Sequence, residues 1–221
     1  MSPRLGAVLF DLDGTLIDSA PDLAGACNEM RIERGLAPLP YERLRPMVGS
    51  GARGMVGASF GVAPDSPGYL ELRDEFLARY EARMTQETRV FDGMGPVLAW
   101  LERERLPWGI VTNKATRFAV PLVAALGLSE RAATLICGDT VAHSKPHPAP
   151  LLEAAGRLGV APRRCAYVGD DRRDVDAGRA AGMVTIVAAW GYLGEGDAPV
   201  AWGADHLIVR PDELPALIGG A

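Results

Sequence analysis

Cysteine is scarce in this chain. The three residues present, Cys27, Cys137 and Cys165, lie far apart and form no C-x-x-C pair. That spacing offers zinc no clustered ligands and fits reduced, packed thiols. Dense runs of lysine and arginine are missing, and the net charge is −5. An acidic chain without a basic patch is a poor partner for nucleic acid or an anionic membrane. No stretch approaches the roughly 20 apolar residues needed to span a bilayer. The N-terminus runs directly into a strand-like segment, without the basic and long apolar regions of a signal peptide. Repeats and low-complexity tracts are also lacking. The expectation is a cytoplasmic protein with a small-molecule partner, acting as a monomer or homodimer.

Apolar material is ample. The 221 residues are 48% hydrophobic and 23% charged, enough for one core of ordinary size plus an insertion. Short apolar runs predict strands at "GAVLF" (6–10), "WGIVT" (108–112), "TLICG" (134–138), "CAYVG" (165–169) and "VTIVAA" (184–189), with "HLIV" (206–209) a sixth candidate. Helical spacing separates them at 94–105, 116–126, 149–158 and 172–181. Gly127, Gly159 and Gly182 stand where the last three would stop. Continuous apolar strands alternating with helices predict an α/β fold, a doubly wound parallel sheet covered on both faces.

The alternation breaks once, between Thr15 and Glu87, where only helices are legible. Ser19 is placed to cap a helix whose Leu23, Ala26, Cys27 and Met30 share one face. Residues 67–84 form a second amphipathic pattern, with Leu70, Phe76, Leu77 and Tyr80 on its apolar side. The expected organisation is a core of residues 1–14 and 88–221, with a helical cap of residues 15–87 inserted after the first strand. Residues 15–19 and 86–92 would be the linkers.

In such a sheet, ligands bind beyond the carboxyl ends of the strands. Asp11 and Asp13 follow the first strand, and Thr112 and Asn113 the second. Lys145, in "SKPHP", lies beyond the third. Asp170, Asp171 and, one helical turn later, Asp174 follow the fourth. Taken singly, a D-x-D, a Thr-Asn pair or a "GDD" is an ordinary turn or cap. Taken together at one sheet edge, they suit phosphoryl transfer. Clustered carboxylates hold a hard cation such as Mg²⁺. One carboxylate can attack phosphorus, a second can move the proton of the leaving group, and a hydroxyl, amides and a lysine can hold the transferring oxygens. His143 and His147 flank Lys145 with no third metal-type ligand nearby in sequence, and read as loop residues. Trp190 and Tyr192 read as core packing, with the cleft wall as the other option.

The motifs "DLDGT", "VTN", "SKP" and "GDDRRD", in this order, resemble those of the haloacid dehalogenase superfamily of phosphatases. The resemblance covers the whole chain, including the helical cap. It implies that Asp11 is the nucleophile and Asp13 the general acid and base. Thr112 and Asn113 would hold the phosphoryl group, and Lys145 would neutralise charge. Mg²⁺ would be held by Asp11, the Asp13 carbonyl oxygen and Asp170, with Asp171 and Asp174 in the outer shell. Many relatives carry Ser where this chain has Asp171.

Within the superfamily, "VTNK" and "VGSGARGMV" (48–56) resemble phosphoglycolate phosphatases. "GARGMV", "FDGM", "WGIVTNKATRFAVP", "VGDDRRDVDAGRAAG" and "WGADH" are closer to the bacterial N-acetylmuramic acid 6-phosphate phosphatases. The resemblance thus implies a small carboxylate-bearing phosphate ester, with the sugar acid favoured over 2-phosphoglycolate. Arg53 and Arg117 are the cations expected to read the carboxylate. A sugar-phosphate mutase of the β-phosphoglucomutase type is the alternative. A 2-haloacid dehalogenase would need neither Asp13 nor a metal, and a phosphoacceptor signalling domain would be about half as long.

Overall fold

The computed structural model describes residues 5–194 and 196–219. In chain order the strands are β1 (Ala7–Phe10), β2 (Ile17–Asp18), β3 (Arg89–Val90), β4 (Trp108–Val111), β5 (Leu135–Ile136), β6 (Cys165–Gly169), β7 (Val184–Ala188) and β8 (His206–Ile208). Helices α1 (Ala20–Glu33), α2 (Tyr41–Leu44), α3 (Gly51–Phe60) and α4 (Tyr69–Arg83) lie between β2 and β3. Helix α5 (Met94–Arg103) precedes β4, α6 (Thr116–Ala125) follows it, α7 (Ala149–Leu158) follows β5, α8 (Arg172–Ala180) follows β6, and α9 (Leu214–Gly219) comes after β8.

Six strands form one sheet in the order β5-β4-β1-β6-β7-β8, every pair parallel. The chain builds outward from β1 through β4 to β5, then returns to the other side of β1 and builds through β6 and β7 to β8. The order therefore reverses between β1 and β6. A crevice opens there because the connections leave the sheet in opposite directions. Asp11 and Asp170, the residues immediately after β1 and β6, stand on its two sides, and the Asp11 N–H donates to Val168 O at 2.9 Å.

Period-two alternation sorts the β1 side chains between two cores. Val8 and Phe10 join the larger cluster, Ala7 and Leu9 the other, and all four are fully buried. No helix among the described residues is long and apolar enough to cross a membrane.

The segment between β2 and β3 is helical, and α1, α3 and α4 pack against one another. Its start and end are tied together. Strands β2 and β3 pair antiparallel, Ile17 with Val90 and Asp18 with Arg89. The buried Asp22 carboxylate accepts from the Glu87 and Thr88 N–H groups and the Thr88 hydroxyl. A two-residue strand has no period to read, which is why β2 escapes sequence inspection.

Two local expectations are corrected. Leu70 is 57% exposed, because the buried face of α4 is centred on Tyr69, Phe76 and Tyr80. Leu70 lies about 100° round the helix from Tyr69 and in its first turn. Ser19 precedes α1, but its side chain makes no cap bond. Its hydroxyl donates to Asp13 instead, and the Ser19 and Ala20 N–H groups donate to Tyr192 OH at 2.8 and 3.1 Å.

Candidate active site

The chain turns sharply after Asp13. Gly14 adopts φ +86°, and a Cβ there would lie 2.1 Å from Asp170 Oδ2. Only glycine satisfies both the left-handed backbone and this close approach. The turn delivers Thr15, whose hydroxyl donates to Asp170 Oδ1 at 3.0 Å. The other oxygen of Asp170 accepts the Tyr192 N–H at 2.8 Å. Burial, aided by the charges of Asp11 and Asp174, pushes the Asp170 carboxyl well above the usual carboxylate range.

Lys145 is the hub of the site and is almost wholly buried. Its ammonium lies 2.8 Å from Asp11 Oδ1 and 2.7 Å from Asp174 Oδ1, and donates to Val111 O at 3.1 Å and Tyr167 OH at 2.8 Å. Burial disfavours its charge, but Asp11 and Asp174 outweigh burial and hold it protonated. The loop that carries Lys145 is clamped by Asn113. The Asn113 amide donates to Lys145 O and accepts from Lys145 N–H, each at 2.9 Å. The side chain expected to hold a phosphoryl group is thus occupied in aiming the lysine. Thr112 is buried with its hydroxyl accepting the Lys114 N–H at 3.1 Å.

Asp11 is paired with Lys145 in charge but not in hydrogen-bond direction. Although the ammonium lies 2.8 Å away, Asp11 Oδ1 is buried and has no hydrogen bond, since the approach is off the hydrogen-bonding direction. Burial raises the Asp11 carboxyl to about 7, against the opposing charge of Lys145.

Asp13 faces the opposite way. Lys114 donates to its two oxygens at 3.0 and 3.1 Å, and Ser19 adds a third donor. Lys114 also sits 4.7 Å from the centre of the Tyr80 ring. Sequence inspection assigned Lys114 no role. Its position directly after Asn113 is the only sequence signal for it.

The start of α8 separates the last three aspartates. Asp171 caps the helix, accepting the Arg173 N–H at 2.8 Å, and forms a capping box with Asp174. Its carboxylate is also gripped by the Arg173 guanidinium. Burial opposes the Asp171 charge, but Arg173 prevails and lowers the pKa. Arg173 further donates to Gly49 O in the helical segment. Asp174 Oδ2 accepts the Asp171 N–H, and its Oδ1 faces Lys145 and Tyr167 OH.

These groups floor a cavity of about 400 Å³. Its cover comes from the helical segment: Leu23 on α1, Gly49 to Ala52 ahead of and within α3, and Phe76, Leu77 and Tyr80 on α4. The structure brings Asp11, Asp13, Thr112, Asn113, Lys145, Asp170, Asp171 and Asp174 to one cavity. It does not bring Arg53 or Arg117 there. Both are exposed and outside the lining. Arg117 lies over the Phe118 ring at 4.3 Å. The cavity cations are instead Lys114, Lys145 and Arg173. Trp190 and Tyr192 are outside the lining too. They tether the first linker, through Trp190 Nε1 to Thr15 O at 3.1 Å and Tyr192 OH to Asp18 at 3.1 Å. His143 and His147 pack ring to ring at 4.5 Å on the surface.

Carboxylate oxygens of Asp11, Asp170 and Asp174 all lie within 4.8 Å of one another. An all-oxygen set with an orphaned carboxylate oxygen fits a hard divalent cation. Both Asp174 oxygens serve Lys145, Tyr167 and the helix cap, and each Asp170 oxygen accepts one bond, from Thr15 and from Tyr192, so Asp11 Oδ1 is the member of the set without a hydrogen bond. Asp171 stands outside this cluster.

The family description "Haloacid dehalogenase-like hydrolase" matches residues 8–188. The N-acetylmuramic acid 6-phosphate phosphatase of Pseudomonas aeruginosa is 47% identical over 211 residues, covering 96% of this chain and 93% of that one. A phosphoglycolate phosphatase of Xanthomonas campestris pv. campestris is 49% identical over 208 residues, 94% of each chain. Among solved structures, a predicted phosphoglycolate phosphatase from Haemophilus somnus 129pt superimposes with TM-score 0.85 at 22% identity, over 98% of this chain and 99% of that one, a likeness of fold. By these matches the chain belongs to the haloacid dehalogenase-like hydrolases, as one of the family's phosphatases.

Proposed function

We propose that this protein is a Mg²⁺-dependent phosphomonoesterase that works through an aspartyl-phosphate on Asp11. The observation that carries the reading is the state of Asp11. It is a half-buried carboxylate at the switch point whose inner oxygen, Oδ1, lies beside Lys145 with no hydrogen bond to satisfy it. Asp11, Asp170 and the Asp13 carbonyl would hold Mg²⁺, which would neutralise carboxylate and phosphate charge and polarise the phosphoryl oxygens.

The rest is done by this chain's own residues. An Asp11 carboxylate oxygen attacks phosphorus, the O–P bond of an acyl phosphate forms, and the bond from phosphorus to the leaving oxygen breaks. Asp13 supplies the proton to that oxygen, then takes one from the water that hydrolyses the acyl phosphate, releasing inorganic phosphate and regenerating Asp11. Thr112 and Lys145 stabilise the transferring oxygens. Ser19 and Lys114 hold Asp13 in place.

The substrate we favour is N-acetylmuramic acid 6-phosphate. A cavity of about 400 Å³ with apolar walls at Leu23, Phe76 and Phe118 has room for an N-acetylated sugar and far exceeds what a two-carbon acid fills. The second reading, 2-phosphoglycolate, is supported by the 49% identity to a protein of that name. Measured kcat/KM for both esters, with Mg²⁺ and with EDTA, tests the proposal. Turnover of neither, or full turnover in chelator, would sink it.

A further inference from the structure

Two buried polar atoms at the cavity have no hydrogen-bond partner, and they sit on opposite walls. One is Asp11 Oδ1 in the floor, which a cation would take. The other is the Tyr80 hydroxyl in the cover. Tyr80 is 2% exposed, and Phe76 and Phe118 pack its ring at 6.5 and 5.6 Å between centroids. A phenol buried without a partner is costly, and here the Lys114 ammonium is near enough to oppose burial in setting its pKa without meeting it in hydrogen-bond geometry.

Beside it lies the cavity cation Lys114, its ammonium 4.7 Å from the centre of the Tyr80 ring. Lys145 is surrounded by four oxygens. Arg173 directs its Nε and one terminal nitrogen at Asp171 and Gly49 O, and its side chain is 38% exposed, so it offers a weaker, wetter contact. Lys114 places two N–H groups on Asp13 and turns toward the Tyr80 ring, its side chain only 9% exposed.

We propose that Lys114 Nζ and Tyr80 OH form the subsite that reads the substrate's carboxylate, one carboxylate oxygen to the ammonium and the other to the phenol. The assignment rests on the phosphatase reading above and names which residues select its substrate. Lys114 adjoins Asp13, the group that protonates the leaving oxygen. An anion held by Lys114 therefore belongs to the leaving group and not to the phosphoryl end. Phe76, Leu77 and Phe118 line the cavity beside it, and a charged hydrogen bond is stronger against apolar walls than in open water. Arg53 and Arg117, both outside the lining, are not needed for this recognition.

Tyr80→Phe is the informative variant, since it deletes one unpartnered hydroxyl and leaves the packing unchanged. Two substrate pairs differ by a carboxylate: N-acetylmuramic acid 6-phosphate against N-acetylglucosamine 6-phosphate, and 2-phosphoglycolate against ethyl phosphate. In at least one pair, Tyr80→Phe should lower the kcat/KM ratio of acid to neutral ester about tenfold, mainly through KM. Unchanged ratios in both pairs would overturn the subsite. Calorimetric binding of N-acetylmuramic acid and N-acetylglucosamine separates this from failure of the phosphatase reading. If the wild type hydrolysed none of the esters yet preferred the acid sugar, and Tyr80→Phe lost that preference, the subsite would stand and the reaction would fall. No preference for the acid in the wild type would overturn the subsite.

Discussion

The floor of the cavity and its cover solve opposite problems. The floor gathers five aspartates and must keep their charges from driving the fold apart. It does so by multiple occupancy: Lys145 serves Asp11 and Asp174, Asp174 also closes the α8 cap, and Thr15 and Tyr192 share Asp170. The cover gathers apolar side chains and keeps most of its charges outside, as pairs such as Arg34 with Glu75 and Arg73 with Asp74; the buried Asp22, beside Arg83, is the exception. A floor built this way tolerates no exchange of its polar groups without loss of function, and none of its shared cation without loss of stability. A cover built this way tolerates changes everywhere except at the few side chains that touch the ligand.

The comparison breaks most visibly at Asp11. Asp11→Asn is nearly isosteric and removes a buried charge, so the protein should stay folded, with a melting temperature equal to or above that of the wild type. Turnover should fall by roughly a thousandfold or more, because an amide does not attack phosphorus at a useful rate. Steady-state assays on p-nitrophenyl phosphate measure this without involving the cover. Substantial remaining turnover would move the nucleophile elsewhere.

Lys145→Met comes next. It leaves Asp11 and Asp174 without their common cation at the floor of the cavity, where Asp174 is almost wholly buried. Removing one partner of a buried charge cluster costs about 3–5 kcal/mol. Urea unfolding of the cation-free protein should show a loss of that size. Exposed pairs in the cover, such as Arg73 with Asp74, should cost about 0–1 kcal/mol when broken. Equal losses in the two regions would erase the distinction.

Titration sharpens it further. Burial raises the Asp11 carboxyl to about 7 in the folded chain, against an ordinary value of 3.8. Between these limits the folded state holds a proton that the unfolded state has released. The unfolded state binds fewer protons, so this contribution to stability is present below about pH 4 and lost as pH rises toward 7. Asp170, raised for the same reason, adds to the slope. Thermal unfolding in EDTA should therefore show stability declining over this range relative to the protein in Mg²⁺, which favours the ionised carboxylates. Parallel curves with and without Mg²⁺ would separate the cation from these carboxylates.

The same division explains what could be read from the sequence. Each floor residue follows a strand, and strands of fully buried apolar residues announce themselves. Asp11, Thr112, Lys145 and Asp170 are therefore legible as a set, and so is the sheet that aligns them. Lys114, Ser19 and Thr15 were missed because their partners are distant or local in ways spacing does not record. Thr15 meets Asp170 across 155 residues, and Ser19 gives up a helix cap to serve Asp13. In the cover the failure is of another kind. Phe76 and Tyr80 share the helical period of ordinary core residues, and nothing in that period says which hydroxyl lacks a partner. Arginine in a glycine-rich loop invites a binding role, yet the loop winds into α3 and carries Arg53 to the surface.

Arg53→Ala is the smallest and most discriminating test of the two regions. The Arg53 side chain is exposed and outside the cavity lining, while its neighbours Gly51 and Ala52 are part of it. A charge in water is screened within about 8–10 Å at physiological ionic strength. Its removal should change kcat/KM by less than about twofold, for acid and neutral esters alike. Stability should shift by no more than about 0.5 kcal/mol, as for surface substitutions generally. A loss of about tenfold confined to the carboxylate-bearing ester would mean that the cover rotates Arg53 inward during turnover. The cover would then carry chemistry of its own, and its description as an apolar lid with one reading hydroxyl would have to be abandoned.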